Sequence, residues 1–209
     1  MTDSTLRREL LAIARAMNSQ GLNQGASGNV SVRDGEGYWI TPSALAYDRC
    51  EPEDVVWMDG AGQPQGRRRP SSEWRMHGDV YRRYPQAGAV LHAHSLYSAT
   101  LACLERSIPA FHYMVAVAGG DSIRCAPYAV FGSQALSDAA VEALRDRSAA
   151  LLGHHGMICF AADLDQVLAL AIEVEALARM YLQALQVAEP PVLPAAEMAS
   201  ALATAFDSR

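Results

Sequence analysis

Between Val30 and Met58 the apolar residues come in runs too short for a helix. Val30-Ser-Val-Arg33, Tyr38-Trp-Ile-Thr41 and Val55-Val-Trp-Met58 are separated by Asp34-Gly-Glu-Gly37, by the Pro42-Ser43 break and by later loop, and Asp59-Gly-Ala-Gly62 leads to a further short strand. Short apolar runs bounded by such turns read as strands joined by hairpins. Strands joined by tight turns pair antiparallel, because a parallel pair needs a long crossover. Helical periodicity surrounds this region. Leu6, Leu10, Ile13 and Met17 share one stripe of a helix over residues 4–18, with Gly21 just past its end. Trp74, His77, Tyr81 and Tyr84 share a face over residues 72–84, and Pro85 closes that helix. Further helices are expected over 95–104, from Ser137 to about 146, and from Asp163, with Gln166 three residues on as a capping partner, to about 188. Phe111–Val117 reads as an apolar strand.

The expectation is a three-layer α/β/α fold with a mainly antiparallel central sheet flanked by helices. A chain of 209 residues suits one buried core. Residues 1–189 are expected to form a single domain. Residues 190–209, opened by Pro190-Pro-Val-Leu-Pro194, are expected to form a mobile tail or short helix. The Ala- and Leu-rich last long helix is apolar on more than one side, which suggests packing against another subunit.

Charge and cysteines narrow the class of protein. A net charge of −6 with pI near 5.5 argues against a nucleic-acid partner, and Arg67-Arg68-Arg69 reads as a solvated loop. No apolar run approaches the ~20 residues needed to cross a bilayer, and no secretory h-region opens the chain. The four cysteines, Cys50, Cys103, Cys125 and Cys159, show no C-x-x-C spacing and read as buried free thiols in a reducing cytoplasm.

The chemistry concentrates in the histidines. His92 and His94 leave the same face of the strand Ala89–Ser95, with Cα atoms ~7 Å apart. Gly153-His-His-Gly156 sits between the apolar runs Ala149–Leu152 and Met157–Phe160, so one of its two histidines faces the same site. A His-x-His strand with a third histidine matches the three-histidine zinc pattern that leaves a position open. Three hydrogen-bonded core histidines would give the same spacing. Glu73 either completes such a shell, stands beside it as a base, or is an acid in the first helical turn, where the macrodipole favours it. Ser71 and Ser72 fit a phosphate site at a helix N-terminus or a simple cap. The loop Gly21–Asn29 fits an anion cradle or a plain turn. His77 reads as a packed core residue, with a second metal-ligand role as the alternative.

Several motifs resemble one family together. Gly25-Ala-Ser-Gly-Asn-Val-Ser31, Ser71-Ser-Glu-Trp-Arg-Met-His77, Val90-Leu-His-Ala-His94, Ile108-Pro-Ala-Phe-His-Tyr113, Gly119-Gly-Asp-Ser-Ile123, Ala126-Pro-Tyr128 and His154-His-Gly156 are similar to the class II aldolase/adducin family, in order over residues ~5 to 188. The resemblance implies one Zn²⁺ per subunit on His92, His94 and His155. Glu73 would bind the metal when the site is empty and act as acid/base when substrate displaces it. Asn29, Ser71 and Ser72, with Gly28 beside them, match phosphate-binding positions. Ser43 and Ala44 fall where a Thr-Gly pair is usual, and alanine at 44 lacks glycine's φ freedom, so a differently shaped loop is expected there. Tyr113 matches a tyrosine that reaches a neighbouring subunit's site in a homotetramer, and Phe131 a residue lining the aldehyde end. The tail, which often carries a tyrosine over the site, has Phe206 instead.

Composition agrees with this. All seventeen basic residues are arginine, so no lysine amine is present to form a Schiff base with a ketose, and the metal that the resemblance implies can stabilise the charge instead. The expected activity is retro-aldol cleavage of a ketose 1-phosphate, similar to L-fuculose 1-phosphate, to dihydroxyacetone phosphate. Cleavage of 5-deoxy- or methylthioribulose 1-phosphate, pentose-phosphate epimerisation, methylthioribulose 1-phosphate dehydration and an adducin-like interaction scaffold are the alternatives.

Overall fold

In the computed structural model, which describes residues 3–207, the first third folds as read. Its strands are β1 (Asn29–Asp34), β2 (Gly37–Ile40), β3 (Val56–Met58) and β4 (Pro64–Gln65). They follow α1 (Asp3–Ser19) and form an antiparallel meander, each pairing with the next. Then come α2 (Trp74–Arg83), β5 (Ala89–Ala93), α3 (Leu96–Cys103), β6 (Arg124–Ala126), α4 (Gln134–Ala143), β7 (Ala149–Leu152), β8 (Gly156–Ala161), α5 (Leu164–Leu185) and α6 (Ala195–Asp207). The eight strands make one sheet in the order β4-β3-β2-β1-β5-β8-β7-β6. Every neighbouring pair is antiparallel except β6 with β7, so the sheet is mixed rather than wholly antiparallel.

The period of two along each strand divides the core into two halves. Leu91, Leu151, Met157 and Cys159 face the side covered by α1, α3 and α5, while Val90, Leu152, Ile158 and Phe160 face α2 and α4. Apolar residues on both faces of a central strand require helices on both sides, which makes the three layers. β5 lies between β1 and β8, with all five residues buried.

Four features differ from the sequence expectation. Tyr113–Ala118 is a short 3-10 helix rather than a strand. Val115, Ala116 and Ala118 are buried from that turn, and α6 packs against it, so burial of an apolar run did not require a sheet position. α4 begins at Gln134, capped by Ser133, whose hydroxyl accepts from the Leu136 amide at 3.1 Å; Ser137 is instead buried inside the helix, donating to Asp79. The basic run is not simply solvated. Arg67 and Arg68 both pair with Asp54, whose side chain is 2% exposed, and Arg67 also pairs with Glu51. All four cysteines are free, but only Cys50 and Cys159 are buried; Cys103 is exposed and Cys125 half-buried.

α5 uses its apolar surface largely within the chain. Val167, Ala171, Val174, Leu177 and Ala178 are buried in the core, and the helix packs on α1, α3, β5 and β8. Beyond it, the Leu193 amide donates to the Ala110 carbonyl at 2.8 Å, and Met198 of α6 is buried. The side chain of Phe206 lies outside the described residues.

Candidate metal centre and substrate cavity

β5 and the β7–β8 corner bring the histidines together because β5 pairs with β8. His92 opposes Ile158 in that ladder, and Ala93 opposes Met157, next to the corner that carries His155. His154 adopts a left-handed φ of 54°, which turns the chain between the two strands. His154 lies instead 3.4 Å from Glu105, and His155 joins His92 and His94. The three rings sit 4.7, 4.7 and 4.8 Å apart by their centroids. Glu73, immediately before α2, completes the group.

One ligand atom from each of Glu73, His92, His94 and His155 lies within 4.8 Å of every other. His92 Nε2 is 2.8 Å from His94 Nε2 and 3.0 Å from Glu73 Oε2, while His155 Nε2 is 3.4 Å from Glu73 Oε1. The ring of His92 is oriented from behind: Nδ1–H donates to the Met157 carbonyl at 2.8 Å, leaving the Nε2 lone pair for the site. Two imidazole nitrogens facing each other this closely need a proton or a cation between them. Glu73 Oε1 is buried with no hydrogen-bond partner, a costly state for a carboxylate oxygen. A divalent cation would relieve both. Three imidazoles and one carboxylate also form a suitable donor set for zinc or a similar ion, so these residues fit a metal.

The electrostatics favour capture of a cation. Burial pushes His94 and His155 down to about 4 each, so both imidazoles stay neutral with lone pairs free near neutrality. Burial alone would raise Glu73. The His92 charge, then His155 and the Asn29 amide, outweigh it and hold the carboxyl well below its usual range. His92 moves the other way: burial lowers it, but Glu73 more than compensates. His77 is not in the ligand group. It is fully buried, and burial pushes it down to about 3.

A cavity of about 390 Å³ opens beside the centre. Gly28, Asn29, Ser43, Ala44, Ser71, Ser72, Glu73, His94, Phe131 and His155 all line it. Tyr113 does not line it and is 59% exposed. The polar end is built by the loop before β1 and the turn before α2. Gly28 has φ +67°, and a Cβ there would fall 2.4 Å from Asn23 Oδ1, so only glycine lets this loop close. Ala44 takes φ 54°, so alanine adopts the left-handed conformation that glycine favours instead of abandoning it. Tyr128, Ala129 and Phe131 add an apolar part to the lining.

Sequence reasoning did not single out three supporting residues. Asn23 Oδ1 accepts from the His94 amide at 3.2 Å. Tyr47 donates to the Gly28 carbonyl at 2.6 Å, tying the loop to the core. Glu175 of α5 accepts from Ser95 Oγ, Ser98 Oγ and the amides of Tyr97 and Ser98, capping α3 directly after His94. The clue available for Glu175 was an acid flanked by Val174 and Leu177 on a helix that is otherwise apolar on that face.

Comparison with known proteins agrees with this geometry. Residues 8–182 match the family described as class II aldolase and adducin N-terminal domain, and the chain belongs to that family. It is 51% identical over 193 residues to a 5-methylthioribulose-1-phosphate/5-deoxyribulose-1-phosphate aldolase of Rhodospirillum rubrum, covering 92% of this chain and 87% of the relative. It is 45% identical over 203 residues to an L-fuculose phosphate aldolase of Escherichia coli K12, covering 97% and 94%. A solved structure of an L-fuculose 1-phosphate aldolase superposes with a TM-score of 0.95 at 37% identity, over 99% of this chain and 98% of that one. No helix among the described residues is long and apolar enough to cross a membrane.

Proposed function

We propose that the protein is a metal-dependent aldolase that cleaves a ketose 1-phosphate, of the L-fuculose 1-phosphate kind, to dihydroxyacetone phosphate and a small aldehyde. The observation that carries this reading is the convergence of three histidines and Glu73 beside a cavity that His94, His155 and Glu73 line together with Ser71, Ser72, Ser43, Asn29 and Gly28. His92, His94 and His155 would hold one zinc ion, with Glu73 as the fourth ligand until substrate takes its place. When bound, that ion supplies Lewis-acid stabilisation of the charge that builds on the ketose oxygens as the carbon–carbon bond opens.

The chain's own residues supply the rest. The hydroxyls of Ser71, Ser72 and Ser43, the Asn29 amide and the backbone around Gly28 and Ala44 receive the phosphate dianion, where hydrogen-bond donors and the start of α2 favour negative charge. Glu73, a carboxylate at rest, would take up a proton from solvent once substrate displaces it from the metal seat and pass it to the carbon that loses its partner, which completes dihydroxyacetone phosphate. Its position at the metal seat, with one oxygen otherwise unpartnered, suits a group that alternates between ligand and proton carrier. Tyr113, exposed on its own subunit, exchanges the proton of the departing hydroxyl in a neighbouring subunit's cavity, passing its own phenolic proton to solvent as it accepts that one, and Phe131 borders the aldehyde. Leu96, Leu104, Tyr113, Tyr128, Val130 and Phe131 are large, apolar and exposed, which supports their burial between subunits of a homotetramer. Four thiols, all free, suit the cytoplasm.

A second substrate, 5-methylthioribulose or 5-deoxyribulose 1-phosphate, is favoured by the apolar wall of Tyr128, Ala129 and Phe131 and by the 51% identical relative. Purified protein incubated with all three ketose phosphates should release dihydroxyacetone phosphate from at least one, and the ratio of kcat/KM values ranks them. No dihydroxyacetone phosphate from any of the three ends the aldolase reading. Metal analysis should find zinc at one per chain, and light scattering should give four chains per particle.

A further inference from the structure

His77 lies one turn along α2 from Glu73, fully buried, and belongs to no ligand group. Its two ring nitrogens each have one partner. Nε2 is 2.5 Å from Asn29 Oδ1, and Nδ1 is 2.7 Å from Ser31 Oγ. Ser31 Oγ is in turn 2.8 Å from the Tyr81 hydroxyl. At the other end, Asn29 Nδ2 donates to Glu73 Oε2 at 3.1 Å. The result is a continuous line from Tyr81 through Ser31, His77 and Asn29 to Glu73, with elements β1 and α2 contributing alternately.

The direction of every hydrogen in this line is fixed by its last member. A carboxylate only accepts, so Asn29 must present its NH₂ end to Glu73 and its oxygen to His77. An oxygen facing Nε2 requires the hydrogen on Nε2. Nδ1 of the neutral ring then accepts from Ser31, whose oxygen accepts from Tyr81. We propose that His77 is a positioning residue whose Nε2–H locks the side-chain amide of Asn29 so that its donor end always faces Glu73. This rests on the reading of Glu73 as metal ligand and proton carrier. Without the lock, rotation of the Asn29 amide by half a turn sets oxygen against oxygen, and Glu73 loses both its donor and its place at the metal seat.

Two substitutions separate this role from simple core packing. In His77→Gln the side-chain amide nitrogen occupies the place of Nε2 and still donates to Asn29. In His77→Asn the shorter amide reaches Ser31 but not Asn29. Both remove the same ring, but asparagine leaves the larger space, so urea stability measured beside zinc affinity separates loss of packing from loss of the lock. The zinc dissociation constant should rise about tenfold in His77→Asn, the lower end of what outer partners of a metal ligand contribute. His77→Gln should stay within about threefold of the parent. kcat should follow the same split with little change in KM. Equal zinc affinities for the two variants overturn the proposal. Should neither variant fold, a neutron structure of the unaltered protein decides: a deuteron on His77 Nε2 and none on Nδ1 supports the lock, and the opposite tautomer or a doubly protonated ring refutes it. Zinc affinity and tautomer are read without any turnover, so they stand even if no ketose phosphate is cleaved.

Discussion

Glu175, halfway along α5, accepts a hydrogen bond from Ser95 Oγ at 2.6 Å and so fixes the residue that follows His94. The same carboxylate accepts from the Tyr97 and Ser98 amides, satisfying donors at the start of α3 that have no partner within the helix. A side chain from a distant helix is thus the cap that ends β5 and begins α3. Glu175→Ala leaves four donors without an acceptor. It should lower unfolding free energy by about 2–4 kcal/mol in urea titrations, the range for leaving buried donors to a charged acceptor unmade. Glu175→Gln, which keeps one acceptor, should fall between.

Glu73→Gln keeps the size of the side chain and removes its charge and its capacity to carry a proton. Turnover should fall by about 10²–10⁴-fold, the usual contribution of a positioned acid/base. The protein should remain folded, since His92 stays anchored through the Met157 carbonyl. Measuring zinc content alongside kcat tells loss of ligation from loss of proton transfer.

Ala44 holds a left-handed φ of 54° in an exposed turn. The Cβ clash in that region costs an L-residue about 1–2 kcal/mol, while glycine adds up to about 1 kcal/mol of unfolded-state entropy. Ala44→Gly should therefore raise stability by about 0.5–1 kcal/mol, read as a higher urea midpoint with unchanged slope. An unchanged or lower midpoint would contradict the strain.

Asp54 gives the fold a defined acid response. Burial opposes its charge, yet hydrogen bonds from Arg68, the Glu51 amide and Arg67 hold it down at about 2. A carboxyl depressed in the folded state contributes stability above its unfolded value of about 4, and that contribution disappears as pH falls toward 2. Urea midpoints of the parent should drop across that window. Asp54→Asn should start lower at neutral pH and lose less on acidification.

Much of the site was legible because its spacing is local. His92 and His94 two apart on a strand, and a Gly-His-His-Gly corner between two apolar runs, required only the period of the β-strand to place them. The same period said that one of His154 and His155 faces the site, and the family resemblance pointed to His155. What stayed hidden depends on tertiary packing. Phe111–Val117 is as apolar as a buried strand, and a short run of that kind does not distinguish strand from turn. Its 3-10 form is set by the helix that packs on it. The helix expected from Ser137 starts three residues earlier, and Asp79 from another helix gives the Ser137 hydroxyl a partner inside α4. Glu175 and the partners of His77, itself read as a core residue, stayed hidden for a related reason: the bonds reach across 46 to 80 positions of sequence, and no local pattern announces such a pairing.

The position of β5 in the sheet has a further consequence. Four strands lie on one side of it and three on the other, so the chemistry is seated at the hub while β4 and β6 form the borders. Remodelling at those borders, by splicing in a loop, trimming a turn or appending a tag, leaves the hub's neighbours β1 and β8 in place. An engineer who wants a new attachment point has the turn between β3 and β4 to rewrite, while the segments that leave β4 and β6 carry Ser71–Glu73 and Tyr128–Phe131 and belong with the centre.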